Sequence, residues 1–294
     1  MRYFIFLLLA GLAFSCHQTK NYPTDIMAEE ITPSEGLFSD GEEAGEIIDP
    51  ELNELSGLAA SQKSDTVLWT HNDSGSDPII YTISTSGRAL GKFSLSGVEA
   101  VDYEDIAIGK GQVFLADMGD NEAIRDYVSI YHFPEPDLSV TEIKNIQKIQ
   151  YTYPEGARDA ETLLYDPISD SLFVLSKREE NVSLFSLPTA AEQPVVANYQ
   201  LTIPYRNFTS GDISPSGTEI IAKTYEIILY WKRDSSETVA EAMAREPIFL
   251  PYTPEPQGES LAWLSNGIDF VTTTEKKQGK PVLLKRYRRK LRSF

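Results

Sequence analysis

Glu54-Leu-Ser-Gly-Leu58, Asp102-Tyr-Glu-Asp-Ile106, Asp159-Ala-Glu-Thr-Leu163, Ser210-Gly-Asp-Ile213 and Gln257-Gly-Glu-Ser-Leu261 are copies of one pattern. Each sets acidic and small residues before a short apolar run. With Ser56, Glu104, Glu161, Gly211 and Glu259 aligned, successive copies lie 48, 57, 50 and 48 residues apart. A period of about 40 to 50 residues with four short strands per unit is the signature of a propeller blade. The repeat therefore predicts an all-β chain, a β-propeller of five four-stranded blades, and the longer step leaves six open.

Second strands follow as runs such as Thr66–Thr70, Gln112–Ala116 and Ser171–Leu175, with turn formers such as Pro215-Ser-Gly217 between first and second strands. Third and fourth strands follow in each unit, except that the fifth has none after Leu284. Glu46-Ile-Ile-Asp49 precedes the first copy and has no other partner, so it is expected to close the ring as the outermost strand of the last blade. Ser236–Arg245 reads as a short helix or insert.

The N-terminal end reads differently. One cation, Arg2, precedes an apolar stretch from Tyr3 to Phe14, too short to span a bilayer; residues 1–15 are read as a signal peptide. Cys16 is the only cysteine, so no intrachain disulfide forms. Ala13-Phe-Ser-Cys16 resembles a bacterial lipobox, which implies lipidation of Cys16, a bilayer as partner and an extracytoplasmic, membrane-anchored lipoprotein. Residues 16–45 are polar and acidic and read as a flexible tether, leaving 46–294 as a single propeller domain. A formal charge of −18 excludes nucleic acid as the main partner, because such binding needs clustered cations.

In a propeller the loops leading into first strands and those leaving second strands share one mouth of the axial channel. The first set carries Glu54, Asp102, Glu104, Asp105, Asp159, Glu161, Asp212 and Glu259; the second carries His71-Asn-Asp73, Asp117-Met-Gly-Asp-Asn121, Lys177-Arg-Glu179, Lys223-Thr-Tyr-Glu226 and Thr274-Glu275. Crowded carboxylates repel one another unless cations compensate. Oxygen donors with scattered histidines suit Ca²⁺ rather than zinc. The expected metal ligands are Glu54, Asp73, Glu104, Asp105, Asp120, Asp159, Glu161, Asp212 and Glu259. Asn72, Asp117, Asn121, Lys177, Arg178 and Lys223 are expected to hold a small anionic ligand, and His71 is the one candidate general base. Each acid has a second reading, as a staple that accepts backbone N–H groups of the adjacent blade. No Gly-x-Ser-x-Gly elbow, P-loop or His-Glu-x-x-His motif occurs.

Glu-Leu-Ser-Gly-Leu, Trp-Thr-His-Asn-Asp-Ser-Gly, Tyr-Glu-Asp-Ile-Ala, Asp-Met-Gly-Asp-Asn, Asp-Ala-Glu-Thr-Leu and Gly-Asp-Ile-Ser-Pro together make the chain resemble an uncharacterised family of secreted bacterial propeller proteins over residues 50 to 275. The channel acids are more distantly similar to those of calcium-dependent propeller hydrolases, the gluconolactonase, paraoxonase and β-propeller phytase groups. That likeness implies hydrolysis of an ester, lactone or phosphoester and carries over no catalytic residue. A platform for an envelope protein or glycan, without chemistry, is the other reading.

Overall fold

The computed structural model describes residues 36–290 apart from 74, 76, 256, 274 and 277–280. The expected signal peptide, Cys16 and the tether up to residue 35 lie outside the described residues. Blade 1 consists of Leu55–Ala60, Val67–Asn72, Ile79–Ser84 and Ala89–Leu95; blade 2 of Tyr103–Gly109, Gln112–Asp117, Val128–Pro134 and Gln147–Thr152. Blade 3 consists of Ala160–Asp166, Ser171–Ser176, Val182–Pro188 and Asn198–Ile203; blade 4 of Phe208–Ile213, Glu219–Thr224, Ile228–Lys232 and Ile248–Leu250. Blade 5 has Ser260–Trp263, Phe270–Thr273 and Val282–Tyr287, and Glu42–Ile47 pairs antiparallel with the last of these. The five inner strands pack side by side in a closed ring, so the chain is a five-bladed propeller.

Each interface between adjacent blades holds its own apolar core. Leu163, Tyr165 and Phe185 of blade 3 meet Phe114, Ile130 and Tyr151 of blade 2, and Trp69 and Phe93 of blade 1 meet Val113 and Phe133 of blade 2. Three further clusters fill the remaining interfaces. Inner strands are therefore buried on both faces; every residue of Ala160–Asp166 is buried. Helix Val239–Met243 begins with a capping box between Thr238 and Glu241 and presses Val239, Ala242 and Met243, at helical spacing, into the core between blades 3 and 4.

Ring closure starts earlier than the expected Glu46. Glu42 pairs with Arg286, and Phe38, inside the expected tether, is fully buried against Tyr230, Trp263 and Phe270 with the Arg289 guanidinium over its ring. Apolar burial and ladder hydrogen bonds draw these residues into blade 5. The extra length of the 57-residue step makes no sixth blade. Its Glu142–Ile143 pairs parallel with Ser94–Leu95 at the outer edge of blade 1, and Val195–Val196 pairs likewise with Tyr151–Thr152 of blade 2. Basic residues of the last strand and just beyond it pair with neighbours: Lys285 with Glu255, Arg286 with Asp269, Arg288 with Glu42 and Arg289 with Glu219. No helix among the described residues is long and apolar enough to cross a membrane.

Candidate metal centre

Four inner strands slip register by one residue near their start, between Ser56/Leu58, Tyr103/Asp105, Ala160/Thr162 and Phe208/Ser210. Such a bulge re-aims the extra residue. In blades 2 and 3 that residue is Glu104 and Glu161. Their carboxylates join three overlapping groups at one mouth of the channel: Asp73 with Glu259 and Glu275, Asp73 with Asp102 and Glu104, and Glu104 with Asp159 and Glu161. Within each group, potential ligand atoms lie within 4.8 Å of one another. Asp73, Glu104, Asp159, Glu161 and Glu259 thus converge from all the blades but the fourth. Asp102 and Glu275 complete the set.

Glu104 is the pivot. It belongs to two groups, is 4 % exposed, and no donor among the described residues hydrogen-bonds its carboxylate. Gly119 makes room for it, since a Cβ there would lie 2.1 Å from Glu104 Oε1 and 2.4 Å from Asp102 Oδ2. Glu161 uses Oε1 to accept from Lys177, while its buried Oε2 has no partner. Burial, reinforced by neighbouring carboxylates, raises the Glu104 pKa well above the usual range. Burial likewise raises Glu161, where Lys177 opposes the effect. Asp102 is lifted to about 6 by burial and by Asp73 and Asp159, and Glu275 to about 8 by burial, Glu259 and Asp73. Such an array of buried and crowded carboxylate oxygens is suited to a hard cation.

One cation is already built in. Lys177 Nζ contacts Glu161, lies 4.0 Å from Glu259 and donates to the Tyr225 hydroxyl at 3.0 Å, above whose ring it sits. Burial disfavours its charge, but Glu161, Tyr225 and Glu259 outweigh that and raise its pKa. Tyr225 in turn donates to Glu259. Arg178 joins Asp159 to Asn121 at the rim. Lys177 therefore compensates the side facing blades 3 to 5 most directly; it also lowers the Glu104 pKa somewhat, as Arg125 does that of Asp102, but in both groups burial and neighbouring carboxylates prevail.

Several expected ligands sit elsewhere or are spent. Asp105 is fully buried and accepts from Leu163 N at 2.9 Å and Ile106 N at 3.0 Å, a staple from blade 2 to blade 3. Asp212 makes the corresponding staple to Trp263 N at 2.8 Å and lines the opposite mouth of the channel. In blade 4 the bulge residue is Thr209, so Asp212 stands three residues further down its strand than Glu104 does in blade 2. Asp120 turns back to accept from Ile124 N and Arg125 N, both at 2.9 Å. Glu54 is exposed and belongs to none of the acid groups.

Among expected anion-binding residues, Asp117 accepts from Val101 N, Asp102 N and Arg125, and Asn72 donates to Glu51 O at 2.7 Å. Lys223 is fully buried beside Glu255, 3.2 Å away. His71 is also fully buried, against Tyr103, and burial lowers its pKa to about 4 despite a hydrogen bond to Asn72 O. A base must reach substrate, and His71 reaches none. Tyr225, which sequence reasoning missed, carries no motif that would single it out.

No protein-family model and no curated protein matches the chain. Among solved structures it is similar to a chain of a nidogen/laminin complex, with 11% identity, a TM-score of 0.49 and coverage of 81% of this chain and 84% of that one. It is also similar to a luciferin-regenerating enzyme, with 8% identity, a TM-score of 0.44 and coverage of 83% and 94%. The propeller assignment rests on the chain's own five sheets.

Proposed function

We propose that this is an extracytoplasmic lipoprotein, held to the bilayer through Cys16, whose acidic channel mouth binds a divalent cation, Ca²⁺ by its donor chemistry, together with a small anionic ligand. The observation that supports this reading is Glu104, a buried carboxylate without a hydrogen-bond donor among the described residues, shared by two acid groups and sheltered by Gly119. Burying such a group uncompensated is costly, and a cation offsets the cost. Asp73, Asp102 and Glu104 would hold it, with Asp159 and Glu161 adjoining. Lys177 and Arg178 place positive charge beside the seat for an anionic group. When bound, Ca²⁺ would polarise a carbonyl or phosphoryl oxygen, the chemistry of ester, lactone or phosphoester hydrolysis.

Elemental analysis and thermal denaturation test the metal. Purified protein stripped with chelator should gain several degrees in Tm on adding Ca²⁺, and Glu104→Gln should fold yet lose that gain. A wild type that neither retains metal nor responds to it would refute the reading. An esterase, lactonase and phosphatase screen then addresses catalysis: hydrolysis lost in Glu104→Gln supports the hydrolase. Silence across the screen together with a specific envelope protein or glycan ligand would make the propeller a binding platform. Cys16→Ser should move the protein from the membrane to the soluble fraction, and a wild type already soluble would rule out the anchor.

A further inference from the structure

We infer that the channel mouth opposite the acid groups is a binding site for a small organic ammonium ion, with the Asp212 carboxylate as its counter-ion. All five blades contribute to a cavity of about 250 Å³ there, through Ala59, Ile108, Tyr165, Pro215 and Trp263 as well as Asp212. Polar side chains, among them Ser214 and Ser265, share the wall with these apolar ones, and a concave surface that joins apolar contact to convergent polar groups is the make-up of a small-molecule site.

Asp212 is the carboxylate set within this cup, and Asp65 stands at its exposed lip. Its Oδ1 accepts from Ile213 N and its Oδ2 from Trp263 N, both at 2.8 Å, which leaves each oxygen further acceptor capacity. The side chain stays partly accessible, and no Lys, Arg or His among the described residues forms an ion pair with it. Stapling alone does not call for a charge. Two residues earlier, Ser210 Oγ accepts the equivalent N–H, that of Leu261, at 3.1 Å with a neutral hydroxyl. A carboxylate makes the same staple at Asp105, which is fully buried, whereas the one at 212 lines the cavity, and burial carries its pKa up to about 7.

The missing partner is an organic cation rather than a metal ion. Ca²⁺ takes six to eight oxygens, and here two carboxylates, Asp212 and the exposed Asp65 at the lip, are joined by hydroxyls already engaged: Ser61 donates to Glu135, Ser265 to Asp65, and Ser214 bonds Ser216. An ammonium group needs a few acceptors, and its carbon body suits Ala59, Ile108 and Pro215.

The probes are benzylammonium chloride and its neutral counterpart benzyl alcohol, with binding to the whole protein followed by NMR above neutral pH. Wild type should prefer benzylammonium by about tenfold, as a charge-assisted hydrogen bond exceeds a neutral one. Asp212→Asn should abolish the preference, whereas Asp65→Asn, at the exposed lip, should keep it. Ser265→Trp, which obstructs the lip and leaves Asp212 in place, should also abolish it, and this variant decides the matter if Asp212→Asn does not fold. Equal affinities in wild type, or a preference surviving in folded Asp212→Asn or in Ser265→Trp, would overturn the proposal. The latter result would assign the cation to the acidic mouth instead.

Discussion

His71 shows how burial changes what a residue type can do. Its Nδ1–H donates to Asn72 O, and Nε2 faces Gly57, where a Cβ would sit 2.6 Å away. The ring is held neutral, with a pKa near 4 against an ordinary value of 6.5. The folded state therefore binds this proton less readily than the unfolded chain does. Stability linked to His71 is complete above about pH 6.5 and is lost as pH falls towards 4, by roughly 3 kcal/mol in all. Urea titrations across that window should show His71→Gln losing less stability on acidification than wild type; parallel curves would contradict the assignment. Glu104 behaves in the opposite sense. Its folded pKa is raised, so its charge destabilises the metal-free protein above the ordinary carboxylate range and the penalty vanishes at low pH. With chelator at neutral pH, Glu104→Gln should be more stable than wild type, and the difference should shrink in acid.

At the scale of the element, two glycines separate site from fold. Gly119 follows the second strand of blade 2, and the atoms that crowd it are the ends of two carboxylate side chains, which can rotate away. Gly119→Ala should therefore cost only about 1 kcal/mol while displacing Glu104 and Asp102, so that the Ca²⁺-dependent rise in Tm disappears from a well-folded protein. Gly45 sits in the closing strand, where a Cβ would fall 2.0 Å from the backbone oxygen of Ser86 in blade 1. Backbone held in a turn cannot rotate aside. Gly45→Ala should cost about 2 kcal/mol or more, measured by chemical denaturation, and leave metal binding per folded molecule unchanged. Equal destabilisation by both would mean that the acid cluster supports the fold.

For the whole molecule, closure joins the two ends of the described chain. Phe38 plugs the core between blades 4 and 5, Glu42–Ile47 completes the last blade, and Gly45 and Gly87 let that strand lie against blade 1. Phe38→Ala removes a fully buried ring together with the Arg289 contact and should cost about 3–5 kcal/mol. Deleting residues through Ile47 strips Val282–Tyr287 of its partner and exposes a strand edge that templates further pairing. Size-exclusion chromatography should show that truncated protein self-associating, while a monomer with unchanged Tm would show that closure adds nothing.

What the chain determines alone is what short-range pattern can carry. Apolar runs of strand length, turn formers between them and a recurring acidic opening are local features, and they suffice for five four-stranded blades with an N-terminal closing strand. They also place Glu104, Glu161 and Glu259 at one mouth, because those three residues occupy matching positions where their inner strands begin. Side-chain destinations are set by longer-range geometry. A bulge at Thr209, invisible in the sequence, puts Asp212 three residues further along than Glu104 and sends it to the far mouth. Asp105 and Asp120 have the same chemistry as Glu104, yet the backbone N–H groups within reach differ, and those groups take up the first two and leave the third without a donor among the described residues. Tertiary structure decided which carboxylates were left for a ligand, because a carboxylate takes whichever donor the neighbouring blade or loop brings within hydrogen-bonding distance.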